Sequence, residues 1–231
     1  MCGRFTLTTP ANALAEHFGA VLDDLSLRPQ YNIAPTHDVV VVRIENGERR
    51  LRTLRWGLVP YWAKDPAVGS RMINARCETA AEKPGFRDAL RRRRAIVPAS
   101  GFYEWKKEGR RKQPFYFHAR DNAPLAIAAL WESWKSHDGH RLETCCLLTT
   151  GANSLLADVH DRMPVLLSPH DYELWLDPTV REPEAVMPLL TAAPEDSLAM
   201  YPVDTCVGDV RNDDEHNIAR ADPGELPLFP R

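Results

Sequence analysis

Four short stretches carry groups able to react with or hold a ligand: MCGRF at residues 1–5, RMINARCETA at 71–80, ASGFYEWKKEG at 99–109 and DVHDRMPVLL at 158–167. In the first, a small residue follows the start methionine, so aminopeptidase trimming is expected to leave Cys2 at the terminus. That residue would then carry a free α-amine and a thiol, two nucleophiles on one side chain and backbone. Phe5 and Leu7 alternate as in a strand, which ties such a terminus into a sheet and argues against a frayed end. In the second stretch Asn74, Arg76 and Glu78 stand at alternate positions, which on an extended chain point the same way. In the third, Glu104 lies between Tyr103 and Trp105, where partial desolvation raises a carboxyl pKa and suits it to passing protons. The fourth supplies His160, Asp161 and Arg162 ahead of an apolar run.

Each stretch has a plain structural reading: an incidental cysteine, a solvent-facing loop, an exposed glutamate on an alternating strand, a packing histidine. Together they provide a nucleophile, an amide, a carboxylic acid and an imidazole, which is what a covalent site requires. Three classes of function fit these residue types: a covalent carbonyl-capturing site, an N-terminal-nucleophile amidohydrolase or self-processing peptidase, and a non-catalytic module for single-stranded nucleic acid.

Composition narrows the setting. The 231 residues are 44% apolar and 26% charged, enough for a sizeable core. No apolar run approaches membrane-spanning length and no secretory h-region opens the chain, so a cytoplasmic protein without a membrane partner is expected. Five cysteines without a CxxC pair, and eight histidines without ligand spacing, point to no metal and no cofactor. The net charge of −3 hides an asymmetry: residues 43–112 hold 19 Lys/Arg against 8 Asp/Glu, a net of +11, between acidic flanks. Such a segment suits a polyanion.

The elements expected to position these groups are mostly strands. PANALAEHFG predicts a short helix over 10–19 with Thr9 as N-cap and Gly19 as stop. The Val39–Ile44 run, the Asn46-Gly47 turn and the alternating stretch after it predict a β-hairpin. Asn74 through Leu90 reads as helical, and Ala95–Pro98 as a strand. GFYEWKKEGRRKQPFYFHA predicts a hairpin around Lys107-Glu108-Gly109, and PLAIAALWESW with LETCCLLTT another around 136–140, with Cys145 and Cys146 as buried strand residues. Helices are expected over 168–176 and in EPEAVMPLL. This makes one β-rich α+β domain, residues 1–212, with a barrel-like mixed sheet, a few peripheral helices and a loosely held polar tail over 213–231.

MCGRF, YNIAP, WGLVPYW, INARCET, GFYEW, HDRMP and, toward the C-terminus, VGDVRN match in order the signatures of the SRAP (SOS response-associated peptidase) family of abasic-site processing proteins, which the chain therefore resembles. Cys77 occupies a position that the family leaves variable. The resemblance implies the SRAP fold and covalent capture of abasic sites in single-stranded DNA, single-strand/duplex junctions included. The link would be a thiazolidine on Cys2 after loss of Met1, with lyase-like or peptidase activity also in view. It implies Asn74, Glu104 and His160 as the other active-site residues. Arg4 and Arg76 would bind phosphates, with Thr149 a weaker candidate, while Pro35, Tyr61, Trp62 and Trp105 would line the DNA groove. A monomer is expected.

Overall fold

The computed structural model describes residues 2–109 and 111–221. Its strands are β1 (Phe5–Leu7), β2 (Gln30–Ile33), β3 (Asp38–Glu45), β4 (Glu48–Trp56), β5 (Asn74–Arg76), β6 (Arg94–Ala99), β7 (Gly101–Glu108), β8 (Arg111–Ala119), β9 (Leu125–Lys135), β10 (Arg141–Gly151), β11 (Arg162–Pro164) and β12 (Leu198–Pro202). Short helices lie between them: α1 (Ala11–Phe18), α2 (Cys77–Ala80), α3 (Arg87–Arg92), α4 (Ser154–Ala157), α5 (Tyr172–Leu176) and α6 (Pro183–Val186). None of the described helices is long and apolar enough to cross a membrane.

Five strands close into a mixed barrel in the order β10-β4-β3-β6-β9 and back to β10. The β3–β4 hairpin turns at Asn46 and Gly47, both at positive φ (52° and 82°), as a two-residue turn matched to strand twist requires. Val39 to Val42 are all buried, so this hairpin is covered on both faces. Closure comes from β10, which pairs antiparallel with β9 over Arg141–Leu147 and parallel with β4 at Thr144 and Cys145. Cys145 and Cys146 are wholly buried there, as expected of small apolar residues. Beyond Leu147, β10 carries β5 in parallel on one edge and β11 antiparallel on the other.

A second, antiparallel sheet runs β12-β8-β7-β1-β2. Here β1 lies between β2 and β7, and the rings of Phe5 and Trp56 pack 5.2 Å apart, joining the N-terminus to the barrel. The terminus is thus part of the sheet. Gly101 permits the close approach of β7 and β8, since a Cβ there would lie 2.4 Å from the Tyr116 ring.

Several expectations are corrected. The helix at 11–18 starts after Pro10; the Thr9 hydroxyl meets Ser100 Oγ instead of capping it, while Gly19 ends it in the left-handed region as predicted. Residues 74–90 are not one helix. Asn74–Arg76 extend as β5 because β10 offers a parallel partner, and only 77–80 and 87–92 are helical. Glu78 therefore leaves the face shared by Asn74 and Arg76. In the β7–β8 hairpin, Lys107 and Glu108 stay in the strand, and Gly109 lies in the turn. Helix 168–176 begins as a 3-10 turn at Pro169–Asp171 with a Ser168/Asp171 capping box. Of the segment expected to be a loose tail, residues 213–221 are packed: Asp213 accepts the Tyr31 and Asn32 amides at 2.6 and 3.0 Å, Asn217 is buried, and the Ala221 amide reaches the Pro202 carbonyl. Residues 222–231 lie outside the described residues.

Candidate active site and nucleic-acid interface

The site forms where the start of β1, the middle of β7 and the two edges of β10 meet. The Tyr103 amide donates to the Arg4 carbonyl at 3.0 Å, extending the β1–β7 ladder toward Cys2. Asn74 on β5 donates its Nδ2 to the Cys2 carbonyl at 2.7 Å, bracing the main chain from the barrel side. Asn74 Oδ1 is buried without a partner among the described residues, an acceptor available to a ligand hydroxyl or amine. Cys2 has 0% exposure. Burial pushes its thiol well above its ordinary pKa, and the Glu104 carboxylate adds to the effect. A thiol so placed is protonated at neutral pH.

Glu104, 3% exposed, is itself raised above the carboxylate range by burial, an effect that His160 partly opposes. Glu104 thus lies within electrostatic reach of both Cys2 and His160. His160 follows α4, its amide bonded to the Leu156 carbonyl at 2.9 Å, and its Nδ1 accepts the Arg162 amide at 3.0 Å. Asp161 Oδ1 also lies 2.9 Å from Nδ1, but its side chain is 86% exposed and able to turn into water. The Arg162 amide is fixed at the start of β11, so we assign the imidazole hydrogen to Nε2. Arg162 in turn makes a two-pronged ion pair with Glu78 (2.6 and 2.8 Å) and donates to the Thr149 carbonyl at 2.6 Å. The INARCET and HDRMP motifs are therefore joined by one clamp across the end of β10.

A cavity of about 380 Å³ opens beside these groups, lined chiefly by Arg4, Glu104, Trp105, Lys107, Lys112 and His160. Arg4 is partly occupied: Nη1 donates to Asn32 Oδ1 and the Val207 carbonyl, both at 2.7 Å, and Nη2 to the Gly208 carbonyl at 3.1 Å. Asn32, wholly enclosed, donates to the carbonyls of Val207, Asp209 and Asn212, locking the VGDVRN loop against β2. Arg76 is exposed at the end of β5. Thr149, expected as a phosphate contact, has 0% exposure and turns its hydroxyl to the Ala75 carbonyl at 3.4 Å, so it lies beneath the surface and offers a ligand nothing.

The aromatic residues divide. Tyr61 and Trp62 are each 55% exposed, on a loop held by the Trp134 indole, which donates to the Ala63 carbonyl at 2.7 Å. Trp105 is half-buried at the cavity, and Pro35 half-buried in the turn after β2, where Thr36 takes φ 73°. The basic middle of the chain is not one patch. Arg43, Arg50 and Arg52 pair with Glu45, Glu143, Asp23 and Glu48 on and around the β3–β4 hairpin, and Arg94 is buried against the carbonyls of Leu90, Trp175 and Asp177.

The family model described as "SOS response associated peptidase (SRAP)" matches residues 1–210. The chain belongs to the SRAP family. Among its relatives, abasic site processing protein YoaM of Bacillus subtilis is 40% identical over 218 residues, 92% of this chain and 95% of that protein. Abasic site processing protein YedK of Escherichia coli is 34% identical, over 92% of this chain and 96% of its own length. A solved protein from Bacteroides thetaiotaomicron has the same SRAP fold, with TM-score 0.86 at 25% identity, covering 95% of this chain and all of that one.

In this SRAP protein three residues at the site stand outside the sequence candidates: Asn32, Lys107 and Lys112. Asn32 sits inside the YNIAP motif, and motif membership is its signal. Lys107 is hidden by the expected Lys107-Glu108-Gly109 turn, whereas β7 runs through Glu108 and sets Lys107 opposite Lys112. Their signal was the basic run KKEGRRK itself.

Proposed function

We propose that this protein processes abasic sites in DNA by covalent capture of the open-chain aldehyde at Cys2, after Met1 has been removed. Removal is required chemically, because until then the Cys2 nitrogen is an amide. The released α-amine ordinarily titrates near about 7.7–8.0, so a useful fraction is neutral at cellular pH, whereas a lysine near about 10.4 would need a depression of roughly 3 units. The amine adds to the aldehyde carbon, water leaves as the iminium forms, and the thiol then adds to the same carbon, passing its proton to a neighbouring base. The net loss is one water, and the product is a five-membered thiazolidine. Ring closure is intramolecular, which is the advantage of placing both nucleophiles on one residue.

The observation that carries this reading is the placing of Cys2 itself, its carbonyl held by Asn74 and its thiol kept protonated beside Glu104. A protonated thiol leaves the first attack to the amine. Glu104, its carboxyl held above the ordinary range by burial, would serve the dehydration and later reversal. His160, with Nε2–H as donor, would hydrogen-bond the sugar ring oxygen as the aldehyde opens, the proton lost by the anomeric hydroxyl passing to that oxygen. Asn74 Oδ1 would accept from the sugar hydroxyl. Trp105, Tyr61, Trp62 and Pro35 would stack on or wedge between bases, which suits single strands and junctions. Arg76 would meet a flanking phosphate, while Arg4, tied into the VGDVRN loop, has two donors left for that work.

Denaturing electrophoresis tests the proposal. The native protein should give a heat-stable adduct with an abasic single strand and none with the intact strand, and Cys2→Ala should abolish it; an adduct that survives Cys2→Ala would sink the mechanism. His160→Ala should slow adduct formation by about 10²-fold, the usual worth of one general acid, while affinity for a non-reactive abasic analogue stays within about twofold. Turnover of a small amide substrate would instead favour an amidohydrolase.

A further inference from the structure

We propose that Lys107 and Lys112 form a cross-strand clamp for one phosphodiester of the bound strand, next to the nucleotide whose base stacks on Trp105. In the β7–β8 register Lys107 stands directly opposite Lys112, with Trp105 opposite Pro114 two residues back. Like charges facing each other across an antiparallel pair repel. Both lysines are exposed, both line the active-site cavity, and neither forms an ion pair among the described residues. Two adjacent ammonium groups of this kind suit a single anion between them.

Alternation along a strand puts Trp105 and Lys107 on one face, about 7 Å apart. A base lying on the indole would carry its phosphate toward the two ammonium groups, each with three donors to offer. Arg4 cannot take this duty fully, having spent three donors on Asn32, Val207 and Gly208. A phosphate between the two ammonium groups offsets their cross-strand repulsion, so the anion binds where it stabilises most. The inference rests on the nucleic-acid reading of the site but not on its covalent chemistry.

The test uses the full chain, a single-stranded oligonucleotide bearing a tetrahydrofuran abasic analogue, and the double substitution Lys107→Gln with Lys112→Gln. At about 0.1 M salt the double variant should bind roughly tenfold more weakly, and the slope of log affinity against log salt should shrink by about 0.7, one phosphate contact on a single strand. Methylphosphonate placed at successive linkages should weaken the native protein at one linkage near the lesion and leave the double variant indifferent there. The melting temperature of the unbound variant should equal or exceed that of the native protein, because a repulsion has been removed. An unchanged slope, or equal sensitivity of both proteins at every linkage, would overturn the clamp. Adduct formation by the native protein, scored in parallel, separates this failure from failure of the covalent mechanism.

Discussion

Glu104 is where stability and chemistry oppose each other. Its folded pKa is raised by burial, so its proton-linked stability is complete below the ordinary carboxyl range and is lost as pH rises toward the elevated folded value. Glu104→Gln keeps the shape and removes that loss. The melting temperature of the variant relative to the native protein should therefore climb as pH increases from about 4.5 upward, while adduct formation drops by about 10²-fold; a pH-independent difference in melting temperature would contradict the burial of an ionisable carboxyl. Asn74 makes a second residue-scale case. Asn74→Asp puts an acceptor against the Cys2 carbonyl that Nδ2 now meets, and should cost about 1–3 kcal/mol together with most of the crosslinking rate, measured by denaturant titration and gel assay. Asn74, Glu104 and His160 are legible as candidates because each is a polar group beside apolar or aromatic residues, and Cys2 because it follows the start methionine. Thr149 could not be placed that way, because its burial is decided by β5 and β11 closing on both edges of β10.

At the scale of elements, β10 organises the site. Its first half closes the barrel and its last half presents Asn74 on one side and the His160 loop on the other. The Glu78–Arg162 clamp holds that loop, and both groups reach solvent, Glu78 at 49% side-chain exposure. Glu78→Ala should thus lower stability by no more than about 1 kcal/mol yet slow ring opening, with the loss concentrated in the adduct-forming rate and not in affinity for the abasic analogue. Gly101→Ala should do the reverse: the new Cβ meets the Tyr116 ring, costing about 1–3 kcal/mol by overpacking. The hairpins were legible because period-two alternation and Asn-Gly turns are local signals. Strand β5 was not, since an extended conformation over three residues comes from its parallel partner 73 residues away at Leu147, and helical propensity carries no trace of that.

For the whole molecule, the uneven charge along the chain turned out to be a poor map of the surface. Arg43, Arg50, Arg52 and Arg93 are held in ion pairs and Arg94 in buried contacts, and among the described residues of the basic middle only Lys107 and Lys112 join Arg4 at the cavity. Chain-level counts cannot separate these, because pairing is settled by which strands become neighbours. The packed segment 213–221 is likewise a tertiary result: Asp213 is an acidic residue in an acidic stretch until Tyr31 and Asn32 offer it their amides. Asp213→Ala should loosen the Asn32 hub that braces Arg4, costing about 1–3 kcal/mol and weakening binding to the abasic analogue. The central claim, capture of an aldehyde by the amine and thiol of Cys2, is tested most directly by intact-mass measurement before and after incubation with an abasic oligonucleotide. A protein lacking Met1, gaining the oligonucleotide mass less one water, with the link mapped to Cys2, is the predicted result; a gain on protein that retains Met1, or on Cys2→Ala, would contradict it.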